Sequence, residues 1–90
     1  MSGPDITVRW ALDGLSSLSE LRRTVYATAL RTDVPADAVD GFVVAVSEVA
    51  TNALMHGAPP FRVVLSAAAQ ALQFAVTDGE GGIRDAPALT

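Results

Sequence analysis

The chain has 90 residues, 50% of them hydrophobic and 18% charged, which is enough for one core and the composition of a globular, not a disordered, domain. With no cysteine and a single histidine, His56, it has no disulfide, no thiolate metal site and no histidine cluster for zinc. Ten acidic and six basic residues leave a net charge of −4, and every base is arginine, which excludes a P-loop lysine, a Schiff-base lysine and a lysine-rich nucleic-acid arm.

The longest apolar run, Phe42 to Val46, is far below the ~20 residues of a membrane-spanning helix, so no membrane association is expected. Met1-Ser2-Gly3-Pro4-Asp5 has neither the basic nor the apolar stretch of a secretory signal. Abundant alanine without lysine fits a GC-rich coding sequence, and a bacterial, cytoplasmic setting is expected from it.

Ile6, Val8, Trp10 and Leu12 alternate with Thr7, Arg9 and Ala11, so residues 5–12 read as a half-buried strand that Asp13-Gly14 breaks. Ser17 followed by Glu20 has the spacing of a capping box, and Leu18, Leu21, Val25 and Ala29 continue at helical spacing. A first helix is expected over 18–31, with Arg31 suiting the negative end of its dipole. Pro35 near a first helical position, with Asp37 and Asp40 in the opening turns, starts a second helix that Gly57 and Pro59-Pro60 end near His56. Val39, Phe42, Val43, Val46, Val49, Ala50 and Ala53 fall on one arc at ~100° per residue. Val44 and Ala45 lie outside that arc and are expected to meet water unless something else covers them.

Phe61, Val63 and Leu65, then Leu72, Phe74 and Val76, alternate as two further strands of an antiparallel hairpin. Its connection, Ser66 to Gln70, lacks the Gly, Asn or Asp that a left-handed hairpin turn prefers. Asp78 to Thr90 reads as a loop. The expectation is one domain, residues 1–90, in the order β-α-α-β-β: an α/β two-layer sandwich with two helices on an antiparallel or mixed sheet of about three strands.

Two groups of residues can carry chemistry. Glu48, Asn52 and His56, spaced by four, share one stripe of the second helix at the border of its apolar arc. Asp78 ends an apolar strand and is followed by Gly79, Glu80, Gly81 and Gly82. Glycines let backbone approach a ligand, and an aspartate there can accept from an amino group in an otherwise apolar pocket. Taken singly, the first reads foremost as a polar helix flank, and the second is equally an Asp-Gly turn.

Together they carry a resemblance. Ser47-Glu48-Val49-Ala50-Thr51-Asn52-Ala53-Leu54-Met55-His56-Gly57 resembles the N box of the histidine kinase-like ATPase (Bergerat fold) superfamily, in a form similar to that of bacterial anti-sigma serine kinases. Thr77-Asp78-Gly79-Glu80-Gly81-Gly82-Ile83 resembles the G1 box, with Glu80 standing where that box has its middle glycine. The resemblance covers residues 5–85. It implies ATP and magnesium as cofactors, with Asn52 on the magnesium that bridges the phosphates and Glu48 as general base. It also implies that Asp78 accepts from the adenine amino group while Gly82 leaves room beside the base. In that family an ATP lid, a second glycine-rich box, a last helix and further strands follow this point.

The function implied is an ATP-binding anti-sigma regulator, a protein serine/threonine kinase whose partners are a sigma factor and an anti-anti-sigma protein, without direct nucleic-acid contact. The alternative is a protein-interaction module of the same fold that has lost nucleotide turnover. Exposed apolar surface and an open strand edge lead to the expectation that the chain forms a homodimer, by sheet extension or helix packing, or else is only marginally stable.

Overall fold

Alternating apolar residues build three strands of a four-stranded sheet, and the periodic ones build two helices that cover one of its faces. The structure, a computed structural model, describes residues 5–89; Met1 to Pro4 and Thr90, the last residue of the expected loop, lie outside the described residues. In chain order come β1 (Ile6–Leu12), a single 3-10 turn (Leu15–Ser17), α1 (Leu18–Ala29), α2 (Ala36–His56), β2 (Phe61–Ala68), β3 (Ala71–Thr77) and β4 (Ile83–Leu89). The sheet order is β1-β2-β3-β4, with every neighbouring pair antiparallel. The expected α/β sandwich is therefore present, with one more strand than the sequence pattern showed.

Register decides which face is core. Trp10 pairs with Val63 and Val63 with Val76, so the residues in this row share the face that the helices cover. Phe61, Val63, Leu65 and Ala67 of β2 are buried there with Leu72, Phe74 and Val76 of β3. Val39, Phe42, Val43, Val46, Ala50 and Ala53 of α2 meet them, as the apolar arc requires, and Leu21, Val25 and Ala29 of α1 complete the cluster. Each valine, leucine or phenylalanine among them contributes about 1.5–3 kcal/mol when fully buried. Val44 is exposed, as expected for a position off the arc, whereas Ala45, also expected to meet water, is half-buried and packs against the core. On average α2 is long and apolar enough to cross a membrane, but its apolar arc forms the centre of this core and its outer faces carry Asp40, Glu48 and Asn52.

Four local expectations are corrected. Residues 83–89 are not loop but β4, an edge strand. Its register against β3 slips between Leu72 and Phe74, which leaves Pro87 and Ala88 together opposite Gln73. Proline is tolerated at such a bulge on an edge, where no ladder donor is needed. The capping box of Ser17 and Glu20 does not form. Ser17 already has helical dihedrals at the end of the 3-10 turn, and its hydroxyl accepts from the Asp13 N–H at 3.1 Å. The first helix stops at Ala29 and Arg31 lies beyond it, because the Thr32 hydroxyl and N–H both donate to the Ala29 carbonyl and close the end. The β2–β3 connection is a two-residue turn, Ala69-Gln70, with no non-glycine residue at positive φ among the described residues. It is held from outside by the Asp33 N–H, which donates to the Ala69 carbonyl at 2.6 Å.

Candidate functional site

Because α2 buries its opposite side, the stripe that carries Glu48, Asn52 and His56 faces outward, and all three are exposed. Ser47, Glu48, Thr51 and Asn52 line a shallow depression on this side. Thr51 donates to the Ser47 carbonyl at 2.7 Å, which keeps its hydroxyl within the helix. The Ser47 hydroxyl is buried beside them without a partner among the described residues. Glu48 and Asn52 thus offer one carboxylate and one carboxamide, a helical turn apart, to the same open space.

The Asp78 region forms the hairpin that joins β3 to β4. The Asp78 N–H donates to the Gly82 carbonyl at 3.0 Å, and the Gly81 N–H donates to the Asp78 carbonyl at 3.2 Å. Gly81 sits at φ +86°, where a side chain is strained, and this lets the loop turn back on itself. The carboxylate of Asp78 closes the inside of the turn: its Oδ1 accepts from the N–H groups of Glu80 at 2.8 Å and Gly82 at 3.1 Å. Its Oδ2 accepts from Arg84 Nη1 at 3.2 Å, the one ion pair among the described residues. The bonds from Glu80 and Gly82, then the Arg84 guanidinium, hold this carboxyl below its ordinary pKa against an opposing effect of burial.

Two glycines set the space around that carboxylate. A Cβ on Gly57 would lie 2.6 Å from Asp78 Oδ2 and 2.8 Å from the Ala53 carbonyl; one on Gly82 would lie 2.9 Å from the same Oδ2. The end of α2 and the hairpin therefore meet at Asp78. The Gly79 N–H, donating to the Ala58 carbonyl at 2.5 Å, ties the two loops together. Asn52 lies five residues, about 7.5 Å of helix, before Gly57.

The four residues to which the resemblance gives roles thus lie along one path, but as two pairs. Glu48 and Asn52 share the helix face, while Asp78 and Gly82 share the hairpin; α2 connects them and no side-chain bond does. Gly57, which the sequence marked as a helix stop, is also a wall of the Asp78 recess. Sequence reasoning missed Arg84, since it lies in the segment read as loop. Six residues after Asp78, and two after Gly82, it is placed by strand alternation that the proline obscures.

The donor set fits a nucleotide better than a resident metal. Among the described residues no three Asp, Glu, His or Cys side chains gather to hold an ion. Asn52 and Glu48 can serve magnesium only with phosphate oxygens and water completing its shell. The cramped recess, where neither Gly57 nor Gly82 has room for a methyl group, brings backbone close to an acceptor that can read an amino group.

A helix presenting Glu48 and Asn52 ends against an Asp-Gly hairpin on an antiparallel sheet, which defines an α/β domain of two helices on a four-stranded sheet. The chain matches the family model described as a histidine kinase-like ATPase domain over residues 13–90, and it belongs to that family. No curated protein and no solved structure matches it.

Proposed function

We propose that this chain is the nucleotide-binding part of an anti-sigma regulator, a protein serine/threonine kinase that acts on an anti-anti-sigma partner in the bacterial cytoplasm and binds a sigma factor. The observation that carries the nucleotide reading is the Asp78 carboxylate, ordered by two backbone N–H groups and walled by glycines from both boxes. Mg-ATP, when bound, would supply the γ-phosphoryl group to the serine oxygen with ADP as the leaving group, the magnesium offsetting the phosphate charge. Toward it, Asp78 accepts from the adenine amino group, and Gly82 keeps the base close to backbone. Asn52 offers its carboxamide oxygen to the metal side of the phosphates. Glu48, one turn earlier, takes the proton from the attacking serine hydroxyl.

One observation favours the interaction-module alternative. Val44 and Met55, 59% and 62% exposed, border the Glu48–Asn52 stripe with apolar surface that a partner protein or a lid would cover.

Calorimetric titration with Mg-ADP separates the readings. Wild type should bind. Asp78→Asn should lose tenfold or more in affinity, as for a charge-assisted hydrogen bond. Asn52→Ala should lose the magnesium-dependent part. Glu48→Ala should bind like wild type, since a general base acts mainly in the transition state. Equal affinity of wild type and Asp78→Asn would remove the assignment; no binding by wild type would leave the interaction module.

A further inference from the structure

Asp78 Oδ2, the atom that adenine recognition would use, already has a partner. Oδ1 is occupied by the N–H groups of Glu80 and Gly82. Around Oδ2 the backbone at Gly57 and Gly82 closes two directions of approach, each too near to admit even a methyl group. Arg84 Nη1 donates to Oδ2 at 3.2 Å, and the Asp78 side chain is itself buried.

Arg84 reaches this position through the sheet register. It pairs with Val76, so its stem lies on the helix-covered side of β4, beside the strand that leads into Asp78. The Arg84 side chain keeps 32% of its surface exposed, against 6% for that of Asp78. Asp78 is its one side-chain hydrogen-bond partner among the described residues, so the guanidinium can swing toward water without breaking another hydrogen bond.

We infer that Arg84 is a built-in competitor for the base-recognition carboxylate, which must leave Asp78 Oδ2 before an exocyclic amino group can donate to it. This inference rests on the nucleotide reading of Asp78 and adds a residue that sets both affinity and base preference. A guanidinium at this position donates only, so it opposes the amino group of adenine and accommodates a base that presents a carbonyl oxygen there. Arg84 therefore lowers the preference for a 6-amino over a 6-oxo purine.

Nucleosides test this without the charge of the phosphates. Adenosine and inosine would be titrated by NMR into the isotope-labelled chain as wild type, Arg84→Met, Arg84→Gln and Asp78→Asn, with each variant's melting temperature recorded first. Arg84→Met, which keeps the stem and removes the charge, should raise the adenosine-over-inosine affinity ratio about twofold to fivefold, the range of a partly exposed ion pair. Arg84→Gln, a neutral donor, should fall between it and wild type. The wild-type ratio should approach that of Arg84→Met as salt is added. An unchanged or lower ratio in Arg84→Met, with the adenosine preference still lost in Asp78→Asn, overturns the competitor and leaves the nucleotide reading standing. A ratio that Asp78→Asn does not alter, or no binding of either nucleoside by wild type and Arg84→Met, removes the nucleotide reading and the competitor with it.

Discussion

Two glycines on the same helix should respond in opposite directions to the same substitution. Gly57 ends α2 at φ −93°, a value alanine adopts without strain, so backbone conformation contributes no penalty to Gly57→Ala. The cost is steric. The added Cβ would lie 2.6 Å from Asp78 Oδ2, 3.0 Å from Asp78 Cβ and 2.8 Å from the Ala53 carbonyl. One of these is helix backbone and another is the root of a side chain tied by three hydrogen bonds, so none is a flexible tip that can move aside. Overpacking of this kind costs about 1–3 kcal/mol. Alanine also restricts the unfolded chain, which offsets about 0.4–1 kcal/mol, so the net loss should be about 0.5–2 kcal/mol. Gly41 is exposed within α2, and a Cβ there meets nothing within 4 Å. Gly41→Ala should therefore stabilise by about 0.5–1 kcal/mol, because glycine inside a helix is unfavourable by that amount. Urea denaturation of the two variants and wild type would measure both values. For a domain of this size each kcal/mol is about 4–8 °C in melting temperature. If Gly57→Ala is as stable as wild type, the helix end is not wedged against Asp78, and the joined site described above is wrong.

The Asp78 carboxyl, held below the ordinary value of 3.8 chiefly by the Glu80 and Gly82 N–H groups, stabilises the fold fully above that value. That stability is lost as pH falls through the lower folded pKa, because only the charged form keeps the bonds. The melting-temperature gap between wild type and Asp78→Asn should thus be constant from neutral pH down to about 5 and shrink below about 4; a gap that widens with acid would contradict the sign. Association should run through β1, whose edge has no proline and no bulge, whereas β4 carries Pro87 at its slip. Light scattering over a hundredfold dilution should show dimer dissociation with a falling melting temperature, and a melting temperature independent of concentration would show a monomer with a protected edge.

The parts of the fold that periodicity reveals are those where side chains dominate the energetics. The arc from Val39 to Ala53 was visible because six of its seven residues are buried against the sheet. Glu48 and Asn52 were visible because spacing by four is a geometric property of any helix. β4 was hidden because it buries only Ala86, whose single methyl group gives no alternation to read, and because Pro87 argues against a strand unless its edge position and the bulge are known. The loss of β4 concealed Arg84 as well, and with it the ion pair at Asp78. The Ser17–Glu20 spacing pointed to a cap that the preceding 3-10 turn displaces, since whether a serine lies at a helix boundary depends on the dihedrals of residues before it. Ala69-Gln70 carries no turn signal because the bond that holds it comes from Asp33, distant in sequence.

The meander has a consequence for how the domain breathes. From Glu48 to Arg84 every residue assigned to the site belongs to one uninterrupted stretch, α2 followed by three strands that each pair with the next in sequence. β1 sits outside that stretch at the sheet margin, and Leu12 is its one buried residue. Marginal elements with few buried side chains open first, at far lower free energy than the centre of a domain. Amide protons of β1 should therefore exchange well before those of β2 and β3, and a transient loss of the first strand leaves the helix end and the Asp78 turn in register with each other.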